Sequence, residues 1–593
     1  MRLNVLSFWI LASANLGSAT TIGARKSCRC SPSESCWPSE SEWDSLNRTT
    51  NGQVNALKPV GEVCHGSTYN SRECHVANQY SNSSIWRTDH PAALIYTNWE
   101  AFPERNESCF VGSKRSVPCG QGRVPLYTVE AKTPQDIQAG VSFARHHNLR
   151  LAIRNTGHSY QGRSTAPDSL QINTHAMKNK TLHKDFTPSG YNGTGKVEPF
   201  AVTLDAGVQL YDMYKFCSEN SVMVVGGSSH GVGATGGFIQ GGGHSMFAGL
   251  LGMASDNALE FKVVVADGRH VIANAYQNSD LFWALRGGGG GTFGVVTSVT
   301  VRAIREPPIV SFKLVGEMAL ASDAYWNAVE HLNSFIPEYN EAGGTMYYYL
   351  NPNYPSDSGK RVSQMHIFGG FPNKTSRAEV RKFMKPFVDK LGDIAGKPLD
   401  FNVTYTPKAA DLFTSEFGTS DLAGVHSILG SRLLTRDLLK SHDGPKRIAN
   451  TLRSLKVIPG KHDTISGIVT VGPQVWANTD IDSALHPVWR ETQLHLVIMR
   501  PWLDTTPFVA QEVMQKNLTY VEVPMLKKLD PAPKGGAYLN EADAYDPEFK
   551  ETFWGPNYPR LYQIKQKWDP EGLFIVRTGV GSEDWDDEGL CPK

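Results

Sequence analysis

The stretch "RNTGHSYQGRS", residues 154–164, sets one imidazole, His158, between a glycine and a serine, with a further glycine at Gly162. Such small neighbours leave the ring bare. Two readings compete: a surface turn that happens to hold a histidine, and a loop that wraps a phosphate-bearing cofactor and presents His158 to it. Two more glycine clusters favour the second reading. One runs "GGSSHGVGATGGFIQGGGHSMFAG" from Gly226, the other "RGGGGGTFGVV" from Arg286. Glycine in a helix or strand interior costs about 0.5–1 kcal/mol against alanine, so its concentration calls for compensation. Close backbone approach to a ligand, or N–H groups converging on an anion, provides it. A flexible linker is the competing account of residues 287–291. The β-branched strand material that follows without a polar spacer argues against it.

The elements that position these loops can be read from periodicity. "VPLYTVEAK" (124–132) alternates as a strand. "TPQDIQAGVSFARHHN" follows, with Thr133 as N-cap, Pro134 at the first helical position and Asp136 at the positive helix end. Ile137, Val141 and Ala144 make its apolar stripe. "LRLAIRN" is a second strand, and it delivers the chain into the His158 loop. Strand, helix, strand, glycine loop is the skeleton of a nucleotide-binding α/β unit, but the GxGxxG of a Rossmann turn is missing. "ALEFKVVVADGRHVIAN" reads as a hairpin turning at Asp267-Gly268. Farther on, "SFKLVGEM", "GTMYYYLN" and "VSQMHIFGGF" interleave with amphipathic helices, which suits an antiparallel sheet with helices on one face. Tyr347, Tyr348, Tyr349 and His366 are candidates for lining a pocket, although alternation turns about half of them away.

At 593 residues the chain exceeds one core. Its 58 Lys+Arg against 58 Asp+Glu give no electrostatic case for nucleic acid or an anionic membrane. Arg2, the short apolar run after it, and Gly17 and Ala19 fit a secretory signal with cleavage after residue 19. Of the 9 cysteines, Cys28, Cys30, Cys36, Cys64, Cys74, Cys109 and Cys119 crowd the region before residue 120. In an exported chain they read as disulfides rather than a metal site, with the pairing open. Cys591 is placed to tie the two chain ends together. Cys217 lies on the apolar face of a helix and reads as a buried thiol. Sequons at Asn47, Asn82, Asn106, Asn179, Asn192, Asn373, Asn402 and Asn517 are candidate glycosylation sites.

Taken in order, "RNTGHSYQGRS", "GGFIQGGGH" and "DLFWALRGGGGGTFGVVTSVTVRA" resemble the PCMH-type FAD-binding domain of the vanillyl-alcohol oxidase superfamily. Residues 537–574 resemble the berberine-bridge-enzyme C-terminal segment, and "CRCSPSESCWPSESEWDSLN" is similar to the lead of secreted fungal FAD-linked oxidoreductases. The resemblance implies an α+β fold: a two-part FAD-binding domain, an α+β substrate domain with an antiparallel sheet, and a C-terminal segment returning to the flavin. The expected organisation is a signal peptide (1–19), a Cys-rich lead (20–122), the FAD-binding domain (123–306), the substrate domain (307–530) and the C-terminal segment (531–593).

It further implies FAD bonded covalently through His158 alone. His230 stands where relatives carry a second, cysteinyl link. Arg154, Asn155, Thr156, Gly157, Ser159, Gly162, His230, Gly233, Gly237 and Asn557 become cofactor-binding candidates. In "YLNEAD" (538–543) the second tyrosine of the family segment is replaced by Glu541. Glu541 and Tyr538 are therefore the catalytic candidates, Asn540 a further one, and a shielded Glu541 is expected to have a raised pKa. A salt-bridged structural role for Glu541 is the alternative. The implied activity is oxidation of an alcohol or secondary-metabolite intermediate by a secreted monomer, with molecular oxygen as re-oxidant and no metal, nucleic-acid or membrane partner. A carbohydrate oxidase, or a flavin-binding protein with a lapsed site, are the alternatives.

Overall fold

The computed structural model describes residues 27–193, 198–356, 359–415, 421–455 and 465–593. The expected signal peptide lies outside the described residues. The helix Pro134–His146 forms as read, with Thr133 Oγ1 accepting from the Asp136 N–H and Asp136 Oδ2 accepting from the Thr133 N–H. Its buried Ile137, Val141 and Ala144 pack onto a small sheet. In that sheet Tyr127–Glu130 and Arg150–Arg154 each run parallel to Ser169–Asn173. The helix is the crossover that parallel pairing requires.

The lead segment is more ordered than its weak periodicity predicts. Ser39 and Glu42 form a capping box at the start of the helix Glu40–Thr49, and Trp43 and Leu46 on that helix enter the core of the small sheet. Val54–Ala56 adds an antiparallel strand to the edge of that sheet. Four disulfides close the lead: Cys28–Cys591, Cys30–Cys36, Cys64–Cys74 and Cys109–Cys119. The first joins residues 563 positions apart and so ties the lead to the chain end, as expected. Cys217 is buried and free, and burial pushes its thiol up to about 12.

A second, antiparallel sheet of Lys180–Phe186, Glu198–Asp205, Val295–Arg302, Ala258–Val264 and His270–Asn274 carries the hairpin read from Asp267-Gly268. Gly268 takes φ +83, which a side chain disfavours there.

The third sheet has seven antiparallel strands, with Arg361–Pro372, Thr345–Pro355, Ile465–Val469 and Thr492–Trp502 at its centre. The helices Asp323–Glu341 and Arg377–Ala395 cover one face with an apolar core that includes Tyr348, Leu494 and Leu496. Period-two alternation sends Tyr347, Ile468 and Val497 to the other face, where they join the core shared with the glycine loops. The α+β architecture with its antiparallel sheet is thus as expected. Asn82, Asn106, Asn179, Asn192, Asn373 and Asn402 are exposed, and Asn47 and Asn517 half-buried.

Candidate active site

Between the glycine loops and residues 538–541 of the C-terminal segment lies a cleft of about 210 Å³. One wall is almost entirely backbone. The strand Arg150–Arg154 ends at Asn155, and Gly157 turns the chain at φ +76 so that His158 enters the cleft. Thr156 Oγ1 accepts from the Gly233 N–H at 3.2 Å, joining the first loop to the second. A Cβ on Gly233 would fall 1.8 Å from Asn155 Oδ1, and one on Gly290 would fall 2.8 Å from the Cα of Gly237. The second and third glycine loops therefore touch main chain to main chain, and Gly233 makes room for the Asn155 side chain, which explains the clustering of glycine in the sequence.

This wall leaves polar atoms without partners. His158 Nε2 and Asn155 Oδ1 are buried and accept no hydrogen bond. His158 Nε2 lies 3.9 Å from Asp421 Oδ2, but that carboxylate is already engaged by the Ser229 hydroxyl and by the N–H groups of His230 and Gly231. Burial lowers the His158 pKa to about 4 in spite of Asp421, so the ring is neutral at physiological pH with a lone pair to offer. Arg163 also reaches this wall. Its guanidinium donates to the carbonyls of Arg577 (3.0 Å) and Thr578 (3.1 Å). Burial without a carboxylate partner lowers its pKa to about 9. A cation that meets two carbonyls and the Thr578 hydroxyl but no carboxylate suits an incoming anion.

The opposite wall is built of side chains. Glu541 Oε1 lies 3.2 Å from His244 Nε2, and Oε2 lies 3.6 Å from His495 Nδ1. Burial would raise the Glu541 carboxyl, but the two imidazoles outweigh it and hold the carboxyl below the usual 4.5. This corrects the raised value expected from shielding: the sequence did not reveal that two histidines face the carboxylate. Burial lowers the His495 pKa to about 4. Tyr538 stands beside both rings, and its phenol is pushed up by burial. Asn540 Nδ2 donates to Tyr538 Oη and to the Gly237 carbonyl, 2.8 Å each, bridging the two walls. Tyr96 and Tyr160, stacked at 4.1 Å, close one end.

Asn155, Thr156, Gly157, His158, Ser159, Gly233, Gly237, Tyr538, Asn540 and Glu541 thus meet at one cleft. Four other cofactor-binding candidates do not line it. Arg154 is fully buried with its guanidinium on the carbonyls of Arg87, His90 and Ala93 at 2.8–3.1 Å, so it braces the lead segment. His230 points its Nε2 at the Phe413 carbonyl. Asn557 Nδ2 donates to the Leu485 carbonyl at 2.9 Å. Gly162 backs onto the Trp99 ring, which a Cβ would strike at 2.6 Å. Of the sheet candidates, Tyr347 packs toward His244 with ring centroids 6.3 Å apart. Tyr348 faces the helices. Tyr349 and His366 pair across neighbouring strands on the cleft side.

Arg163, His244 and His495 belong to the site beyond the sequence-predicted set. His244 ends the "GGGH" run, and His495 is a polar residue in the apolar strand "TQLHLVIM", on the face opposite Leu494 and Leu496. Both signals were present.

Residues 125–274 match the family described as "FAD binding domain", and residues 537–581 the family described as "Berberine and berberine like". An uncharacterized FAD-linked oxidoreductase of Arthroderma benhamiae is 44% identical over 572 residues, which is 95% of each chain. The flavin-dependent oxygenase ucdF of Aspergillus ustus is 39% identical over 92% of this chain and 98% of its own. Among solved structures, the VAO-type flavoprotein MtVAO615 of Myceliophthora thermophila C1 superposes with a TM-score of 0.84 at 31% identity, covering 96% of this chain and all of its own.

Proposed function

Because the chain belongs to the FAD-linked oxidoreductases of the VAO and berberine-bridge type, we propose that it oxidises a small alcohol or secondary-metabolite intermediate, with FAD held covalently by His158 and molecular oxygen as final acceptor. The reading also takes the protein to be a secreted, glycosylated monomer. The residues present fit FAD. The glycine-to-glycine wall admits a flat ligand, the unpartnered His158 Nε2 and Asn155 Oδ1 await one, and Arg163 offers an unneutralised cation. When bound, FAD supplies a two-electron acceptor for hydride.

The protein's own part is to place the donor carbon and accept a proton. His158, neutral, is the attachment residue, and a covalent tether would keep cofactor in an exported enzyme. Gly233, Gly237 and Gly290, having no side chains, would leave room for the cofactor. Glu541, the carboxylate in the cleft lining, takes the proton from the donor's hydroxyl. His244, which pairs with it, keeps it ionised and so ready to accept. Tyr538 and Tyr160 wall the donor from water. Use of oxygen is supported by the likeness to a relative named as an oxygenase.

One observation carries the reading: a neutral, unbonded imidazole and a held-open carboxylate share one cleft. The test is anaerobic mixing of the yellow protein with a panel of primary, benzylic and polycyclic alcohols, followed by admission of air. Bleaching of the flavin by at least one alcohol, then recolouring with peroxide release, is expected. A flavin that no donor bleaches would overturn the reading.

A further inference from the structure

An ion pair with His244 accounts for one oxygen of Glu541 but not for His495. That imidazole is 1% exposed, within the strand Thr492–Trp502, and neither of its nitrogens has a hydrogen-bond partner. Its Nδ1 nevertheless lies 3.6 Å from the second Glu541 oxygen. An imidazole buried without a partner is unfavourable unless something bonds its lone pair.

The geometry points to a divalent transition-metal site, of the class that takes zinc, formed by His244, His495 and Glu541. One ligand atom from each of the three lies within 4.8 Å of the others. With metal–ligand bonds of about 2.0–2.2 Å, neighbouring ligands in a tetrahedron stand about 3.3–3.6 Å apart. Each imidazole already stands at about that spacing from a different oxygen of the carboxylate, His244 Nε2 3.2 Å from Oε1 and His495 Nδ1 3.6 Å from Oε2. Two imidazoles and one carboxylate suit zinc and its neighbours and not magnesium or calcium, which prefer all-oxygen shells.

The three ligands come from separate parts of the fold: the end of the second glycine loop, the seven-stranded sheet and the C-terminal segment. Trp489 and Tyr538 pack edge-on against the rings and fix their planes. Glu541, at 23% exposure, leaves one side of the site open to the cleft, where water or a substrate oxygen completes the coordination. Resting on the reading of Glu541 as proton acceptor, a bound ion also acts as an off-switch. It occupies the carboxylate that the oxidation needs, so metal binding and turnover exclude each other.

The test uses the full-length, flavin-loaded protein after chelation and desalting. Zinc chloride is titrated calorimetrically, and retained zinc is counted by elemental analysis. Wild type is expected to show one more site than His495→Ala or His495→Gln, or to bind about 100-fold more tightly than either, since losing a ligand costs at least what losing an outer-shell partner costs. Retained flavin colour in the variants shows that they are folded. Equal stoichiometry and affinity in all three proteins would overturn the site. Flavin bleaching by an active donor is then followed with and without zinc. Slowing that a chelator reverses supports the off-switch. Zinc bound at the triad without slowing would count against Glu541 as the proton acceptor and leave the metal site standing.

Discussion

The two walls of the cleft are made in opposite ways. The glycine wall is mostly main chain, drawn from three short contiguous segments, with His158, Asn155 and Arg163 among the few polar side chains it presents. The facing wall is side chains, His244 and Glu541 lining it from positions 297 residues apart with His495 buried behind Glu541. The first wall can hold a cofactor without choosing a substrate. The second can move a proton without holding a cofactor. The contrast teaches that binding and chemistry here should fail separately.

The largest effect should come from breaking the backbone wall. Gly233→Val puts a Cβ 1.8 Å from Asn155 Oδ1, and overpacking of this kind costs about 1–3 kcal/mol. The protein is expected to purify colourless, as read by the flavin-to-protein absorbance ratio. Breaking the other wall should leave the colour and remove the chemistry. Glu541→Gln is expected to stay yellow while anaerobic bleaching slows by roughly 10²–10⁴-fold, the usual contribution of a positioned base. A colourless Glu541→Gln protein would erase the distinction between the walls.

The same carboxylate predicts a pH profile. Its pKa is held below 4.5 in the folded protein. The ionised base is therefore present at neutral pH and is lost only as pH falls through that depressed value. Bleaching rates should stay level down to pH 4.5 and drop below it. The stability that the His244–Glu541 pairing contributes is present above the unfolded-state pKa and is lost over the same acid range. Urea midpoints taken against pH should show it, and Glu541→Gln should remove it.

A change remote from both walls sharpens the comparison by sparing it. Replacing Cys28 and Cys591 with serine opens a link across 563 positions. The expected loss is about 2–5 kcal/mol in unfolding free energy, with flavin content and bleaching rate unchanged. The smallest effect is expected at the cleft's rim. Tyr349→Phe removes one hydroxyl on the sheet face beside His366, and a typical hydrogen bond is worth about 0.5–1.5 kcal/mol. KM should rise by that equivalent while kcat holds.

How much could be read from the sequence follows the same division. The His158 loop, the Thr133-capped helix and the 258–274 hairpin are local in the chain, so their residues could be read in order. The direction of Arg154 could not. Its strand position is evident, but its buried guanidinium is claimed by carbonyls of residues 87–93, and nothing in "RNTGH" shows that contact. The helix Glu40–Thr49 is only faintly legible: Ser39 and Glu42 spell a capping box, but the helix is short and buries only Trp43 and Leu46. The His244–His495–Glu541 cluster depends on strand pairing and on which sheet face turns to the cleft, neither of which is local.

The central claim is that a neutral His158 is the flavin's point of attachment, and peptide mass spectrometry of acid-precipitated protein tests it most directly. The account predicts that the proteolytic peptide containing His158 carries the added mass of FAD, and that His158→Ala releases all its yellow colour on precipitation. An unmodified His158 peptide from wild type, with the flavin left in the acid supernatant, would contradict it.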